Sequence, residues 1–203
     1  MTAFENPLAV GQTVLVTAVG EAEGSRGAAA ALACVGAEAD VAPLLIEVGR
    51  RAPRPTLVAS AAAQRLESRL KAQLPEAGVA ARGQVCHLAV PPEPGWLDPV
   101  SGAATTAREG GAVVHLPPDL LHEALAHSSL GVSGVLLRAD LDRDRPLVGL
   151  AVRDMIARGL AAAVLKRRLA WIAERRALFG VLPVGSSGGL PERLVRQLIR
   201  SPL

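Results

Sequence analysis

Aromatic residues are nearly missing from this chain: two Phe, two Trp and no Tyr occur in 203 residues. That scarcity argues against a single-stranded nucleic-acid platform, which relies on aromatic faces to stack bases. Cysteine is equally sparse. Cys34 and Cys86 are too few for a disulfide framework or a cysteine metal cage, and two buried thiols are expected. No uncharged apolar run reaches the roughly 18 residues needed to span a bilayer. No charged n-region followed by an apolar h-region opens the sequence, so a cytoplasmic protein is expected, and the dominance of Ala, Val, Leu, Arg and Gly reads as a high-GC bacterial coding bias.

What is present is a large apolar fraction, 50% of the residues, enough to bury a substantial single-domain core. The net charge is only +3, but it is unevenly spread. From Leu165 onward eight Lys/Arg face two Glu, so basic character belongs to the C-terminal quarter. Short apolar runs recur at Val14–Val16, Leu44–Ile46, Val85–Val90, Val113–Leu116, Val135–Leu137 and Ala161–Leu165. Helical patterns are expected over 26–37, 59–74, 118–126, 146–158, 169–178 and 191–200. Apolar runs without clean alternation suit strands buried on both faces. Their alternation with helices predicts an α/β fold: a single-domain, three-layer α/β/α arrangement around a mostly parallel, doubly wound sheet. The stretch 91–111, rich in Pro, Gly, Ser and Thr, reads as a long surface loop. Residues 1–185 form the expected domain. Residues 186–203 hold a Gly/Ser joint and a last helix.

The first strand runs into a Gly-rich turn, Gly20-Glu21-Ala22-Glu23-Gly24-Ser25-Arg26-Gly27, and then into an Ala-rich helix. Strand, glycine turn and helix is the layout of a P-loop, which reads G-x-x-x-x-G-K-[ST]. Counted from Gly20, Ser25 replaces the second glycine, Arg26 the lysine and Gly27 the hydroxyl residue. Gly27 offers no oxygen to Mg²⁺, and a planar guanidinium is a poor substitute for a compact ammonium. Glu21 and Glu23 put carboxylates where a triphosphate would lie, each costing on the order of 1 to 4 kcal/mol in like-charge repulsion. Such carboxylates suit the amides and dipole of the helix N-terminus instead.

In the order of its landmarks the chain resembles the MinD/ParA group of P-loop ATPases, which carry a deviant Walker A loop, K-G-G-x-G-K-T. The family's signature lysine falls on Glu21 and its second lysine on Arg26. The strand that usually ends in a D-x-D-type motif is similar to Leu44-Leu45-Ile46-Glu47-Val48-Gly49, and the "lpa" strand to His87-Leu88-Ala89-Val90-Pro91. The Walker B strand, followed by Asp-x-Pro-Pro, is similar to Val113-Val114-His115-Leu116-Pro117-Pro118, which puts His115 at the aspartate position. The family's "vvN" strand resembles Val164-Leu165-Lys166, with Lys166 at the base-reading Asn. The resemblance thus implies a P-loop NTPase-type fold whose lysines, Mg²⁺ hydroxyl, Walker B aspartate and base-reading Asn are all replaced. The expected function is that of a non-catalytic pseudo-ATPase without cofactor or metal, a scaffold or positioning factor with a protein partner or as a homodimer. The alternative is an ATPase or switch that binds ATP and Mg²⁺, or another phosphate ligand, through Gly24, Ser25 and Arg26. A third reading, a nucleic-acid binder using the basic C-terminal quarter, ranks last.

Other patterns carry less. Gly185-Ser186-Ser187-Gly188-Gly189 matches the G-x-S-x-G nucleophile elbow, but no His or Asp follows it, so it reads as a joint. His115, His122 and His127 lack metal-ligand spacing, and His115 is expected to be a hydrogen-bonded core histidine. Asp140, Asp142 and Asp144 lack the Gly and terminal Glu of a calcium loop. In the last helix Leu194, Val195, Leu198 and Ile199 form one face, and Arg193, Arg196 and Arg200 lie on the other. A basic amphipathic helix of this kind can dock on its own core, on a second copy, or on an anionic membrane, which would make the protein peripheral to the inner face of the cell membrane.

Overall fold

The computed structural model describes residues 11–18, 25–38, 40–49, 58–139 and 177–183. These residues build one seven-stranded sheet in the order β3-β4-β2-β5-β1-β6-β7. The strands are β1 (Thr13–Ala18), β2 (Leu44–Val48), β3 (Gly78–Arg82), β4 (Val85–Val90), β5 (Ala112–His115), β6 (Val132–Ala139) and β7 (Ala177–Pro183). Six run parallel to their neighbours. β3 alone is antiparallel, folded back on β4 across Gly83-Gln84. The helices are α1 (Ser25–Gly36), α2 (Ala61–Gln73), α3 (Leu97–Thr106) and α4 (Leu121–Ala126), with a 3₁₀ turn at Pro118–Leu120.

The central strands of the sheet are apolar on both faces, as buried parallel strands require. Along β1, Leu15 joins one hydrophobic cluster with Ile46, Val114, Leu66, Leu70 and Val100. Its neighbours Val14 and Val16 join a second, with Leu45, Val113, Leu136 and the α1 residues Ala28, Ala29, Leu32 and Ala33. Small alanines on α1 let that helix lie close to the strands. α2 starts at Ser60, whose hydroxyl accepts a hydrogen bond from the Ala63 amide at 3.1 Å, satisfying one of the donors a helix N-terminus leaves open.

Three readings are corrected here. The stretch 91–111 is not one long loop, because α3 occupies Leu97–Thr106 and buries Leu97, Val100, Ala103 and Thr106. Their three-residue spacing is a helical stripe made mostly of small residues, and Pro99 falls in the first turn, where its missing N–H costs nothing. The hairpin strand β3 is also absent from the sequence reading, because Gly78-Val79-Ala80-Ala81-Arg82 holds a single β-branched residue and gives no strand signal. β7 begins at Ala177, inside a segment expected to be helical to residue 178. The apolar run 161–165 and the helices expected over 146–158 and 191–200 lie outside the described residues.

Candidate functional site

The chain leaves β1 toward β2 on one side and leaves β5 toward β6 on the other, while β1 and β5 lie side by side. In open parallel sheets this reversal opens a crevice at the carboxyl ends of the strands, where ligands bind. Four side chains meet there. Ser25 and Arg26 come from the first turn of α1, Glu47 from the end of β2, and His115 from the last position of β5.

Glu47 and His115 are direct partners across the β2–β5 ladder, and Val16 faces His115 from β1. The strand ends are held firmly. The Leu116 amide donates to the Val16 carbonyl at 3.1 Å, and Thr17 Oγ1 donates to the Leu116 carbonyl at 2.8 Å. Glu47 is 1% exposed, an expensive position for a carboxylate unless it is paired. Arg26 pairs it with two prongs: Nε donates to Oε1, and Nη2 donates to Oε2 at 3.1 Å. The Arg26 side chain is itself 49% exposed, so the pair runs from the buried strand end out to the surface. Its hydrogen bond to Glu47, and then the carboxylate's charge, raise the Arg26 pKa against the opposing effect of burial.

His115 is 8% exposed, and its Nε2 lies 3.0 Å from Ser25 Oγ. The expectation of a hydrogen-bonded core histidine holds. Nearby on β4, His87 is partly buried, and its Nδ1 has no hydrogen-bond partner among the described residues. Burial lowers its pKa, with Glu47 opposing and Arg82 and Arg26 assisting.

Of the residues singled out in the sequence, the structure brings Ser25, Arg26 and His115 together. Gly27 follows on α1, with nothing within 4 Å of the point where a side chain would begin. Gly20, Glu21, Glu23 and Gly24 lie outside the described residues, as do the last-helix residues Arg193, Leu194, Val195, Arg196, Leu198, Ile199 and Arg200. The partner that sequence reasoning missed is Glu47. Its signal was available: a lone acid in the otherwise apolar strand Leu44-Leu45-Ile46-Glu47-Val48 must be paired with a cation. The thiols also differ from expectation. Cys86 is buried in the main core, but Cys34 lies on the exposed side of α1. No group of three or more potential metal ligands occurs among the described residues, and no helix among them is long and apolar enough to cross a membrane. No family model, curated protein or solved structure matched the chain.

Proposed function

We propose that this chain is a non-catalytic, MinD/ParA-like pseudo-ATPase with a three-layer, P-loop NTPase-type fold, acting as a scaffold or positioning factor. The observation that carries the reading is the Arg26–Glu47 ion pair. Arg26 stands at the position of the phosphate-binding lysine, yet both prongs of its guanidinium are spent on a buried carboxylate. Bringing a polyphosphate to Arg26 would either place it beside Glu47 or strip that carboxylate of its partner. Either event is costly because the Glu47 carboxylate is shielded from water. His115, at the position of the Walker B aspartate, is likewise engaged with Ser25, and an imidazole hydrogen-bonded to a hydroxyl does not replace a carboxylate that helps hold Mg²⁺. The crevice at the β1–β5 reversal and the separate cores containing alternate residues of β1 support the fold assignment.

The same reading assigns contact with a protein partner or a second copy, and peripheral membrane contact through the basic face of residues 191–200. Isothermal titration with Mg-ATP tests the central claim. The expected result is no saturable heat at millimolar nucleotide. Micromolar binding would favour the alternative of a nucleotide-dependent switch. DNA retention that weakens steeply with salt would favour the nucleic-acid reading.

A further inference from the structure

The four side chains that close the crevice are not equivalent. Arg26 and Glu47 neutralise one another, whereas Ser25 and His115 are a hydroxyl and an imidazole joined by a hydrogen bond. Ser25 Oγ is 3.0 Å from His115 Nε2, within the reach that defines a nucleophile and its base. When the hydroxyl donates, Nε2 is the accepting nitrogen and the ring proton resides on Nδ1. The base stands on a rigid support. His115 ends a strand paired on both sides, and the following residue is clamped by the Val16 carbonyl and the Thr17 hydroxyl. The nucleophile is accessible: Ser25 is half-buried, its neighbours Arg26 and Gly27 are exposed, and the space beside Gly27 is open.

We propose that Ser25 is a nucleophilic hydroxyl, activated by His115, that accepts an acyl group from an activated ester. The inference does not rest on the pseudo-ATPase reading and concerns a different chemistry at the same sheet edge. In the reaction Ser25 Oγ forms a bond to the ester carbonyl carbon while its proton passes to His115 Nε2. The tetrahedral intermediate then collapses. The bond from carbonyl carbon to the departing oxygen breaks, and Nε2 returns the proton to that oxygen. Acyl-Ser25, a free alcohol and a neutral imidazole remain, with no change of oxidation state. Arg26 stays with Glu47 throughout.

The test is to mix the full chain with p-nitrophenyl acetate, follow nitrophenolate release, and map acetylation by peptide mass spectrometry. A stoichiometric burst with acetyl on Ser25 is expected. The burst should vanish in Ser25→Ala and slow by about 100-fold in His115→Gln, which keeps a hydrogen-bonding side chain but no base. A purely structural hydrogen bond would leave the wild-type Ser25 unmodified, or modified at a rate that His115→Gln does not change; either result overturns the proposal. Thermal unfolding checks that both variants are folded. If His115→Gln is not, the pH dependence of wild-type Ser25 acetylation decides. A rate that rises as one imidazole loses its proton sustains the proposal, and a rate that follows hydroxide across the whole range refutes it.

Discussion

At the scale of single residues, the ion pair between Arg26 and Glu47 governs both the chemistry and the stability of the strand ends. Its partners are unequal, because Glu47 is shielded from water and Arg26 is half exposed. Removing the cation is therefore more damaging than the surface location of Arg26 suggests, since it strands a buried carboxylate. Deleting one member of a fully buried pair costs about 3–5 kcal/mol, while exposed pairs contribute about 0–1 kcal/mol. For this half-exposed case Arg26→Ala should cost about 1–3 kcal/mol. The double variant Arg26→Ala, Glu47→Gln should recover much of the loss, because a neutral amide carries no charge to compensate. Urea unfolding of the wild type, the two single variants and the double variant checks this. Additive losses, with no recovery in the double variant, would contradict it. The cysteines give a second residue-scale outcome. Cys34 is on the exposed side of α1, while Cys86 is buried with its thiol pushed up to about 12. Since the thiolate is the reactive form, a disulfide reagent at neutral pH should modify Cys34 alone, and Cys86 only after denaturant is added.

At the scale of elements, the turn between α3 and β5 packs closely against the segment leading into β2. A side chain at Gly110 would begin 2.3 Å from the Ala42 carbonyl oxygen and 2.7 Å from its carbon. Those are backbone atoms leading into β2, and they cannot swing aside. Gly110→Ala should cost at least about 1–3 kcal/mol, the usual range for overpacking. Gly27→Ala is the opposite case, a helical position with open space, and should gain about 0.5–1 kcal/mol from reduced chain entropy. Thermal melts of the two variants should move in opposite directions. The contrast between these glycines also indicates what the sequence could disclose. Strands β1, β2, β4, β5 and β6 were legible because each contains a run of consecutive apolar residues, and α1 and α2 because alanines and other helix formers fill them. α3 was hidden by its own composition: Pro, Gly, Ser and Thr make up half of Leu97–Thr106, and tertiary contacts override their weak helical preference. At the site, Ser25, Arg26 and His115 stood out as departures from a motif. Their wiring did not, since the Glu47–His115 register is set by strand pairing between segments 68 residues apart, which no local pattern encodes.

At the scale of the whole molecule, two titratable groups on β4, the partly buried His87 and the buried Cys86, limit the pH range over which the fold is most stable. His87 has its pKa lowered from 6.5, chiefly by burial, so the unfolded chain takes up a proton before the folded one does. Its contribution is complete above 6.5 and is lost as pH falls through the lower, folded value. Cys86 behaves in the reverse sense. Its pKa is raised from 9.0 to about 12, mainly by burial and then by Glu67, with Lys71 opposing. The folded chain therefore retains the thiol proton where the unfolded chain has released it. That contribution is complete below about 9 and is lost as pH climbs toward 12. Each group can alter stability by at most about 1.4 kcal/mol per pH unit within its window. Between the windows neither group contributes a slope. Denaturant unfolding at a series of pH values should give a plateau near neutrality with a fall on either side. Other groups contribute to both limbs, so the decisive comparison is with variants. His87→Gln should flatten the acid limb relative to wild type without touching the alkaline one, and Cys86→Ala should do the converse. Because the two residues are neighbours in one strand, a general loosening of β4 would shift both limbs in both variants. Independent flattening of one limb in each variant is the signature of titration, and its absence would remove these two groups as the source of the pH limits.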